Sequence, residues 1–206
     1  LVDGLKVRDL EIGDDFRFGC DRAGDFEFLK AAGQRHGFSV DASTTVEVRG
    51  GRVSSTRVRQ ALADGDFELA EALLGRPFRI VGRVLHGQKL GRQLNAPTAN
   101  IQLKRRKVPL TGVYLVSCDV DGVIQPGVAN IGVRPSVAGD GSAHLEVHLL
   151  DFAGDLYGRR LSVAFHHKLR DEQRFASLEA LKAAIAADIA TAREYWQSHP
   201  LMKSPT

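Results

Sequence analysis

The sequence predicts an α+β chain, with an α/β segment followed by a β-rich domain and a terminal helix. Three observations carry this prediction. Strand and helix patterns alternate over residues 1–74, short β-rich runs between glycine and proline turns fill residues 75–206, and an amphipathic pattern begins after Ser177. The β-rich runs have no helical patterns between them, which indicates an antiparallel sandwich or a small barrel. We place the domain boundary between residues 74 and 75, because Gly75 and Pro77 end a helical pattern there.

The first domain contains strand patterns and helix patterns with recognisable caps. In chain order we predict a strand over residues 6–12, a helix over 25–37, a strand over 38–48, and helices over 57–63 and 67–74. Gly37 and Gly75 stand at C-cap positions, where glycine tolerates a left-handed backbone. Ser54-Ser55-Thr56 and Asp66 offer N-cap oxygens to the last two helices. This order predicts part of an α/β unit.

The second domain contains five strand patterns and one long helix pattern. The strands are predicted over residues 78–85, 112–119, 123–129, 144–150 and 161–169. Ser177 can cap the helix, and its apolar residues recur at helical spacing. They are Leu178, Leu181, Ile185, Ile189, Ala192 and Trp196. We expect this helix to cover one side of the β domain.

Composition excludes several classes of protein. The 206 residues carry a net charge of +3, which is too small to indicate a nucleic-acid partner. Cys20 and Cys118 form neither a disulfide framework nor a CxxC pair, so we expect a reducing, cytoplasmic compartment. No apolar run approaches the roughly 20 residues that span a bilayer, so no membrane partner is expected. The only methionine is Met202, so we expect a processed form or fragment of a longer protein.

The strongest local pattern is a glycine-rich loop after the first strand of the second domain. Residues 82–92 read GRVLHGQKLGR, and Ala96-Pro97-Thr98-Ala99-Asn100 follows. Glycines let backbone N–H groups approach a phosphate, and Arg92 adds a planar charged fork. An extended chain presents the neutral oxygens of Thr98 and Asn100 on one face, which suits Mg²⁺ carried by a nucleotide. The alternative is a surface turn rich in glycine and proline.

A second constellation lies on the strand over residues 144–150. The pattern His-Leu-Glu-Val-His-Leu-Leu alternates, so its polar side chains face away from the core. Glu146, held on a rigid strand, is a candidate general base if that face lines a cleft. A solvent-facing polar strand is one alternative. A metal site is another, although His144 and His148 lie about 13 Å apart along a strand, too far to share one zinc ion without a bulge.

A third constellation lies between the last strand and the terminal helix. Phe175 can pack on a flat ligand ring, and Arg170 can pair with a carboxylate or stack. The alternative is a charged loop with one buried anchor. The basic run Lys104-Arg105-Arg106-Lys107 has no interleaved aromatic residues, which is typical of a solvated turn.

Taken together, these segments resemble riboflavin kinases. Five segments of this chain occur in the same order in that family. The first is the glycine-rich loop with Pro-Thr-Ala-Asn, and the others are Ala129-Asn130-Ile131-Gly132-Val133-Arg134-Pro135, Leu145-Glu146-Val147-His148, Asp155-Leu156-Tyr157-Gly158 and residues 169–175. Gly13-Asp14-Asp15-Phe16-Arg17-Phe18-Gly19 and residues 54–59 resemble the back half of the adenylyltransferase domain in prokaryotic bifunctional riboflavin kinase/FAD synthetases. One departure is Asn95-Ala96, where the family usually has a glycine and a bulky apolar residue.

The resemblance implies a six-stranded antiparallel Greek-key barrel that follows a partial Rossmann-like segment. It implies transfer of the ATP γ-phosphoryl group to the terminal ribityl hydroxyl of riboflavin, which gives FMN and ADP, with Mg²⁺ as cofactor. Carried over by position, the resemblance implies that Glu146 is the catalytic base and that Thr98 and Asn100 bind Mg²⁺ and nucleotide phosphate. It places Gly87 and Arg92 in the phosphate loop and Tyr157 near the nucleotide. The residues that it assigns to flavin binding are Arg170, Gln173 and Phe175.

The resemblance also implies a remnant of an adenylyltransferase site, formed by Asp15, Phe16, Ser54, Ser55, Thr56 and Arg59. Adenylyltransferases of this family carry an N-terminal His-x-Gly-His, and no two of the seven histidines here are three residues apart. We therefore expect this chain to make FMN but not FAD, and a longer parent to make both. Two other classes remain, a non-catalytic β-barrel binding module and a nucleotidyltransferase with a β appendage.

Overall fold

A computed structural model describes residues 2–13, 15–86, 96–103, 108–134 and 142–199. Contacts divide the chain into two compact units, Leu1–Ser54 and Ser55–Thr206. The helices that the sequence assigns to the first domain after Ser54 thus belong to the compact unit of the barrel. The boundary between residues 74 and 75 marks the change in sequence pattern and stays a prediction.

The first unit contains a parallel strand pair joined through a helix. Its elements are α1 (Val2–Leu5), β1 (Asp9–Gly13), a 3₁₀ turn (Cys20–Arg22), α2 (Phe26–His36), β2 (Ser39–Ser43), β3 (Glu47–Val48) and β4 (Gly51–Arg52). β1 pairs in parallel with β2, whereas β3 and β4 form an antiparallel pair. Asp25 accepts the Phe28 N–H as the N-cap of α2, and Gly37 ends the helix with φ of 75°. These caps confirm the predicted helix.

Two short helices open the second unit. α3 (Ser55–Asp64) begins two residues before the predicted start, and α4 (Phe67–Leu74) has the predicted bounds. Asp66 accepts the Leu69 N–H at 2.9 Å and so caps α4. Phe67 then packs on the barrel, because its ring meets that of Tyr114 edge-on with centroids 5.6 Å apart.

The rest of the second unit is a closed barrel of six antiparallel strands. The strands are β5 (Arg79–Leu85), β6 (Ala99–Ile101), β7 (Gly112–Val120), β8 (Val123–Arg134), β9 (Ser142–Leu149) and β10 (Arg160–Arg170). Their order around the barrel is β10-β5-β6-β9-β8-β7. Since β7, β8 and β9 follow one another and β6 lies beside β9, the connection is a Greek key. The predicted barrel is confirmed, and the sequence patterns missed β6.

The barrel interior and one outer face form two apolar layers. Inside, Tyr114 and Phe165 are 1% exposed and meet edge-on. Outside, α5 (Leu178–Ser198) packs over β7 and β8. This outer cluster contains Val113, Leu115, Val128, Leu150 and Ala192, with Leu169, Ile189, Tyr195 and Trp196 against it. Ser177 caps α5 as predicted, by accepting the Ala180 N–H at 3.1 Å. No helix among the described residues is long and apolar enough to cross a membrane.

Candidate active site

The predicted base lies in a row of polar side chains across three strands. Glu146 on β9 is in register with Asn100 on β6 and with Asn130 on β8. Residues in register on neighbouring strands lie about 5 Å apart and point to the same face, so the two amides flank the carboxylate. Along β9 the predicted alternation is observed, because Leu145 and Val147 are 1% exposed while Glu146 is half-buried.

This polar face lines a cavity of about 370 Å³ between the barrel and α5, here called the helix-side cavity. β9 contributes His144, Glu146 and His148, and α5 contributes Leu181, Ile185, Asp188 and Ile189. The three residues assigned to the flavin, Arg170, Gln173 and Phe175, line the same cavity. The alternative of a solvent-facing polar strand is wrong, because α5 lies opposite this face and leaves its side chains half-buried.

Arg170 is held by contacts to both the edge and the face of its guanidinium group. Its Nε and Nη2 donate to the Asp188 carboxylate at 2.9 and 2.8 Å, and the two side chains are only 25% and 12% exposed. Its Nη1 donates to the Asp171 carbonyl at 3.1 Å. The guanidinium carbon lies 5.7 Å from the centre of the Phe175 ring. Arg170 therefore fixes the segment that carries Phe175 instead of presenting a free charge.

A second cavity, of about 350 Å³, is called here the loop-side cavity because residues 152–157 form much of its lining. Tyr157, assigned to the nucleotide, lines it and stacks on His86 with ring centroids 3.9 Å apart. Asp155 accepts the Tyr157 N–H at 2.9 Å and fixes the turn. Thr98 lines both cavities, so it marks the place where they adjoin.

The two neutral oxygen donors assigned to Mg²⁺ flank a core residue on β6. Ala99 is 8% exposed, whereas Thr98 and Asn100 on either side of it are half-buried, as alternation along a strand requires. The surface-turn alternative is therefore wrong for Ala99–Ile101, which form β6. Gly87 and Arg92 lie outside the described residues. Within the described ranges, no group of three or more His, Cys, Asp or Glu side chains could hold a metal ion.

The residues assigned to the adenylyltransferase remnant fall in both compact units. Asp15 accepts a hydrogen bond from Arg52 at 2.8 Å, and the 43% exposed Phe16 stacks on Phe18. Ser54 ends the first unit, and Ser55, Thr56 and Arg59 lie on α3 in the second.

The end of β9 is tied to α5 by an ion pair. Arg193 donates two hydrogen bonds to Asp151, each 2.7 Å long. These hydrogen bonds hold the pKa of Asp151 below its ordinary value, and the positive charge of Arg193 adds to the effect. The pair joins the turn after β9 to the helix that forms the opposite wall of the helix-side cavity.

Sequence reasoning missed two residues of the helix-side cavity. Asp188 interrupts the apolar stripe of α5 between Ile185 and Ile189, and an acidic residue at such a position signals a buried cationic partner. Asn130 belongs to a motif that carried the resemblance, but nothing in the pattern gave it a role. Its Oδ1 is buried and has no hydrogen-bond partner in the described structure.

Two family models match the chain. The model described as riboflavin kinase matches residues 74–196, and the model described as FAD synthetase matches residues 1–57. The first match covers the whole barrel and most of α5. The second covers the first compact unit.

Individual relatives agree with these matches. The chain is 76% identical over 193 residues to the bifunctional riboflavin kinase/FMN adenylyltransferase of Pseudomonas fluorescens, covering 94% of this chain and 62% of that protein. It is 55% identical over 199 residues to the protein of the same name from Escherichia coli K12, covering 95% of this chain and 63% of that one. The chain thus spans less than two thirds of the length of these curated relatives.

A solved structure has the same fold over most of the chain. It is described as a macrolide-efflux protein from Streptococcus pneumoniae, and it matches with a TM-score of 0.70 and 34% identity over 88% of this chain and 60% of that one. The family match extends over more than half of the residues and includes the whole barrel with its two cavities. The chain therefore belongs to the riboflavin kinase family.

Proposed function

We propose that this chain phosphorylates riboflavin, taking the γ-phosphoryl group of ATP and releasing FMN and ADP. One observation carries the proposal. The predicted base Glu146 and the three predicted flavin residues line one cavity, and Thr98 joins that cavity to a second one lined by Tyr157. An acceptor site and a nucleotide site that adjoin at a phosphate-binding residue are what phosphoryl transfer between two bound substrates needs.

The helix-side cavity suits a flat, largely apolar acceptor with a polar tail. Leu181, Ile185 and Ile189 of α5 give it an apolar wall, and Phe175 adds an aromatic surface. Its opposite wall is the polar face of β9 that carries Glu146. We therefore orient the isoalloxazine ring toward α5 and the ribityl chain toward Glu146.

The loop-side cavity is the corresponding place for the nucleotide. The stacked pair of His86 and Tyr157 offers an aromatic surface at its edge. Gly87 and Arg92, which follow His86 in the chain, keep their predicted role as phosphate ligands. On this arrangement the γ-phosphate lies near Thr98, between the two substrates.

The residues present fit Mg²⁺ as a partner of the nucleotide. Thr98 and Asn100 offer hard, neutral oxygens on one side of β6, and Mg²⁺ is usually held by a few protein oxygens together with phosphates and water. When bound, Mg²⁺ neutralises phosphate charge and holds the phosphates in line. We propose Thr98 and Asn100 as its protein ligands.

The chemical step then needs one proton acceptor and correct alignment. The ribityl hydroxyl oxygen forms a bond to the γ-phosphorus, the bond from that phosphorus to its bridging oxygen breaks, and ADP leaves. Glu146 accepts the hydroxyl proton as the new bond forms. The register of β6, β9 and β8 holds Glu146 and Asn100 in adjacent positions, so the base and a proposed metal ligand keep a fixed spacing.

We further propose that the longer relatives owe their second activity, adenylylation of FMN, to the domain that the first compact unit resembles. The remnant residues Asp15, Phe16, Ser54, Ser55, Thr56 and Arg59 belong to that proposal. A cytoplasmic location is proposed as well, because Cys20 and Cys118 are both free thiols.

The direct test is riboflavin-dependent formation of ADP by the 206-residue chain with ATP and Mg²⁺. We expect equal amounts of FMN and ADP, and no ADP above background when riboflavin is left out. ADP formation without riboflavin would indicate another acceptor. If neither product forms while riboflavin still binds, the chain is the non-catalytic binding module considered above.

A further inference from the structure

His148 makes a contact that the proposed mechanism does not use. It lies on β9 two residues after Glu146, on the same face, and it lines the helix-side cavity. Its Nδ1 lies 2.9 Å from the carbonyl oxygen of Pro97. A carbonyl oxygen can only accept a hydrogen bond, so Nδ1 of His148 carries a proton and donates it to Pro97.

This hydrogen bond extends the pairing of β6 and β9 by one residue. The backbone ladder between the two strands runs from Ile101–Leu145 to Ala99–Val147. Pro97 has no N–H, so it cannot donate to a neighbouring strand. Its carbonyl is instead bound by the side chain of His148, one residue beyond Val147. The backbone of Thr98 is thereby held on both sides, by the ladder at Ala99 and by His148 at Pro97.

We infer that His148 is a positioning residue, which fixes the Thr98 hydroxyl at the junction of the two cavities through its bond to Pro97. The inference rests on the proposed function, in which Thr98 binds Mg²⁺ and phosphate. Mg²⁺ demands nearly ideal octahedral geometry with short bonds, so a ligand on an unrestrained backbone binds it less well. For this reason, removing a group that orients a metal ligand lowers the affinity of the site for the metal, even though the group does not touch the metal.

Amide substitutions separate the two ring nitrogens of His148. In His148→Asn the side-chain amide nitrogen can occupy the place of Nδ1 and still donate to Pro97, whereas in His148→Gln it falls near the place of Nε2. His148→Ala removes both. His148→Asn is therefore the matched control for the other two variants, and Thr98→Ala shows the effect of losing the ligand itself.

The first experiment measures calorimetric binding of ADP to the 206-residue variants over a range of Mg²⁺ concentrations. We expect His148→Asn to resemble the wild type, and His148→Gln and His148→Ala to need about tenfold more Mg²⁺, the lower end of the effect of losing a group that orients a metal ligand. The Mg²⁺ dependence of riboflavin phosphorylation should shift in parallel. The inference would be overturned if His148→Gln kept the wild-type Mg²⁺ requirement while His148→Asn needed more Mg²⁺. An unchanged Mg²⁺ dependence in all three variants would overturn it as well.

The second experiment needs no variant. Nitrogen NMR of the imidazole ring in the wild-type chain reports which nitrogen carries the proton. We expect the Nδ1–H form, and an Nε2–H form would overturn the inference even if every variant failed to fold. Neither the binding experiment nor the NMR experiment depends on turnover. If the wild type makes no FMN, the proposed function fails while both results still decide the role of His148.

Discussion

At the scale of single residues, the site depends on side chains that the barrel register holds in place. Asn100, Glu146 and Asn130 occupy one row on three neighbouring strands. None of them lies at the end of its strand, so the ladder on both sides restrains the backbone of each. A group placed in this way can be exchanged for an isosteric one with little effect on the fold.

We predict that Glu146→Gln removes most of the kinase turnover while the chain remains folded. The exchange keeps the shape of the side chain and removes its ability to accept a proton, and the loss of a positioned base costs on the order of 10²–10⁴ in rate. The measurement is kcat for FMN formation, with thermal unfolding as the control for the fold. Turnover near the wild-type rate in a well-folded variant would refute the role of Glu146.

A second residue-scale prediction concerns the dependence of stability on pH. His166 lies with its Nε2 2.8 Å from the Ser117 hydroxyl and its ring against Trp196. Burial, together with the positive charge of Arg79, lowers the pKa of His166 to about 4. The unfolded chain has an ordinary histidine pKa near 6.5, so below that pH the unfolded state binds the proton and the native state does not.

The native state is therefore expected to lose stability as pH falls from about 6.5 toward 4, by on the order of 3 kcal/mol in total. His166→Gln keeps a polar group near Ser117 and does not titrate, so its stability should fall less over this window. Urea unfolding at several pH values measures the difference. Identical pH slopes for the two proteins would show that another group is responsible.

At the scale of elements, α5 forms one wall of the helix-side cavity and binds Arg170, a second residue of its lining. The predicted apolar stripe packs as expected at Ala192, which is fully buried, whereas Leu178 at its start is 50% exposed. Asp188 within the stripe binds Arg170, and Arg170 stacks on Phe175. Through Asp188 and Arg170, the helix thus positions Phe175, a residue of the proposed flavin site that lies outside the helix.

We predict that Asp188→Asn and Phe175→Ala each raise the KM for riboflavin more than the KM for ATP. The first frees the segment that carries Phe175, and the second removes the aromatic surface. Because both act on the same contact, the double variant should be less impaired than the sum of the two. Asp188→Asn should also lower stability by about 2 kcal/mol, because a charged hydrogen-bond acceptor is lost. Equal effects on both KM values would indicate general disorder of the loop.

Elements with strong local signals were predictable, whereas the cavities were not. Caps such as Asp66 and Ser177 placed two helices correctly, because capping depends on a few neighbouring residues. β6 was missed because it has only three residues, and its pairing with β9 depends on residues more than forty positions away. The cavity that joins Glu146 to Phe175 exists only once α5 has packed on the barrel, which no local pattern encodes.

At the scale of the whole molecule, the two compact units differ in how their strands are completed. The barrel closes on itself, so its strands have no free edge, whereas β1 and β2 form a sheet of two strands within the described residues. The strand pairing of the closed barrel holds Asn100, Glu146 and Asn130 in one row, and α5 of the same unit completes the helix-side cavity. We therefore propose the kinase reaction for the second unit alone. The first unit belongs only to the proposal on FMN adenylylation, the second activity for which the relatives are named.

The last prediction concerns that second reaction. We expect the 206-residue chain to convert riboflavin to FMN and to form no FAD, since its seven histidines contain no His-x-Gly-His arrangement to stabilise phosphate charge during adenylyl transfer. The test is incubation with FMN, ATP and Mg²⁺, followed by measurement of FAD and pyrophosphate. The Pseudomonas fluorescens relative, which is named for both activities, is the positive control. Robust FAD formation by this chain would contradict the prediction, because adenylyl transfer would then proceed without that motif.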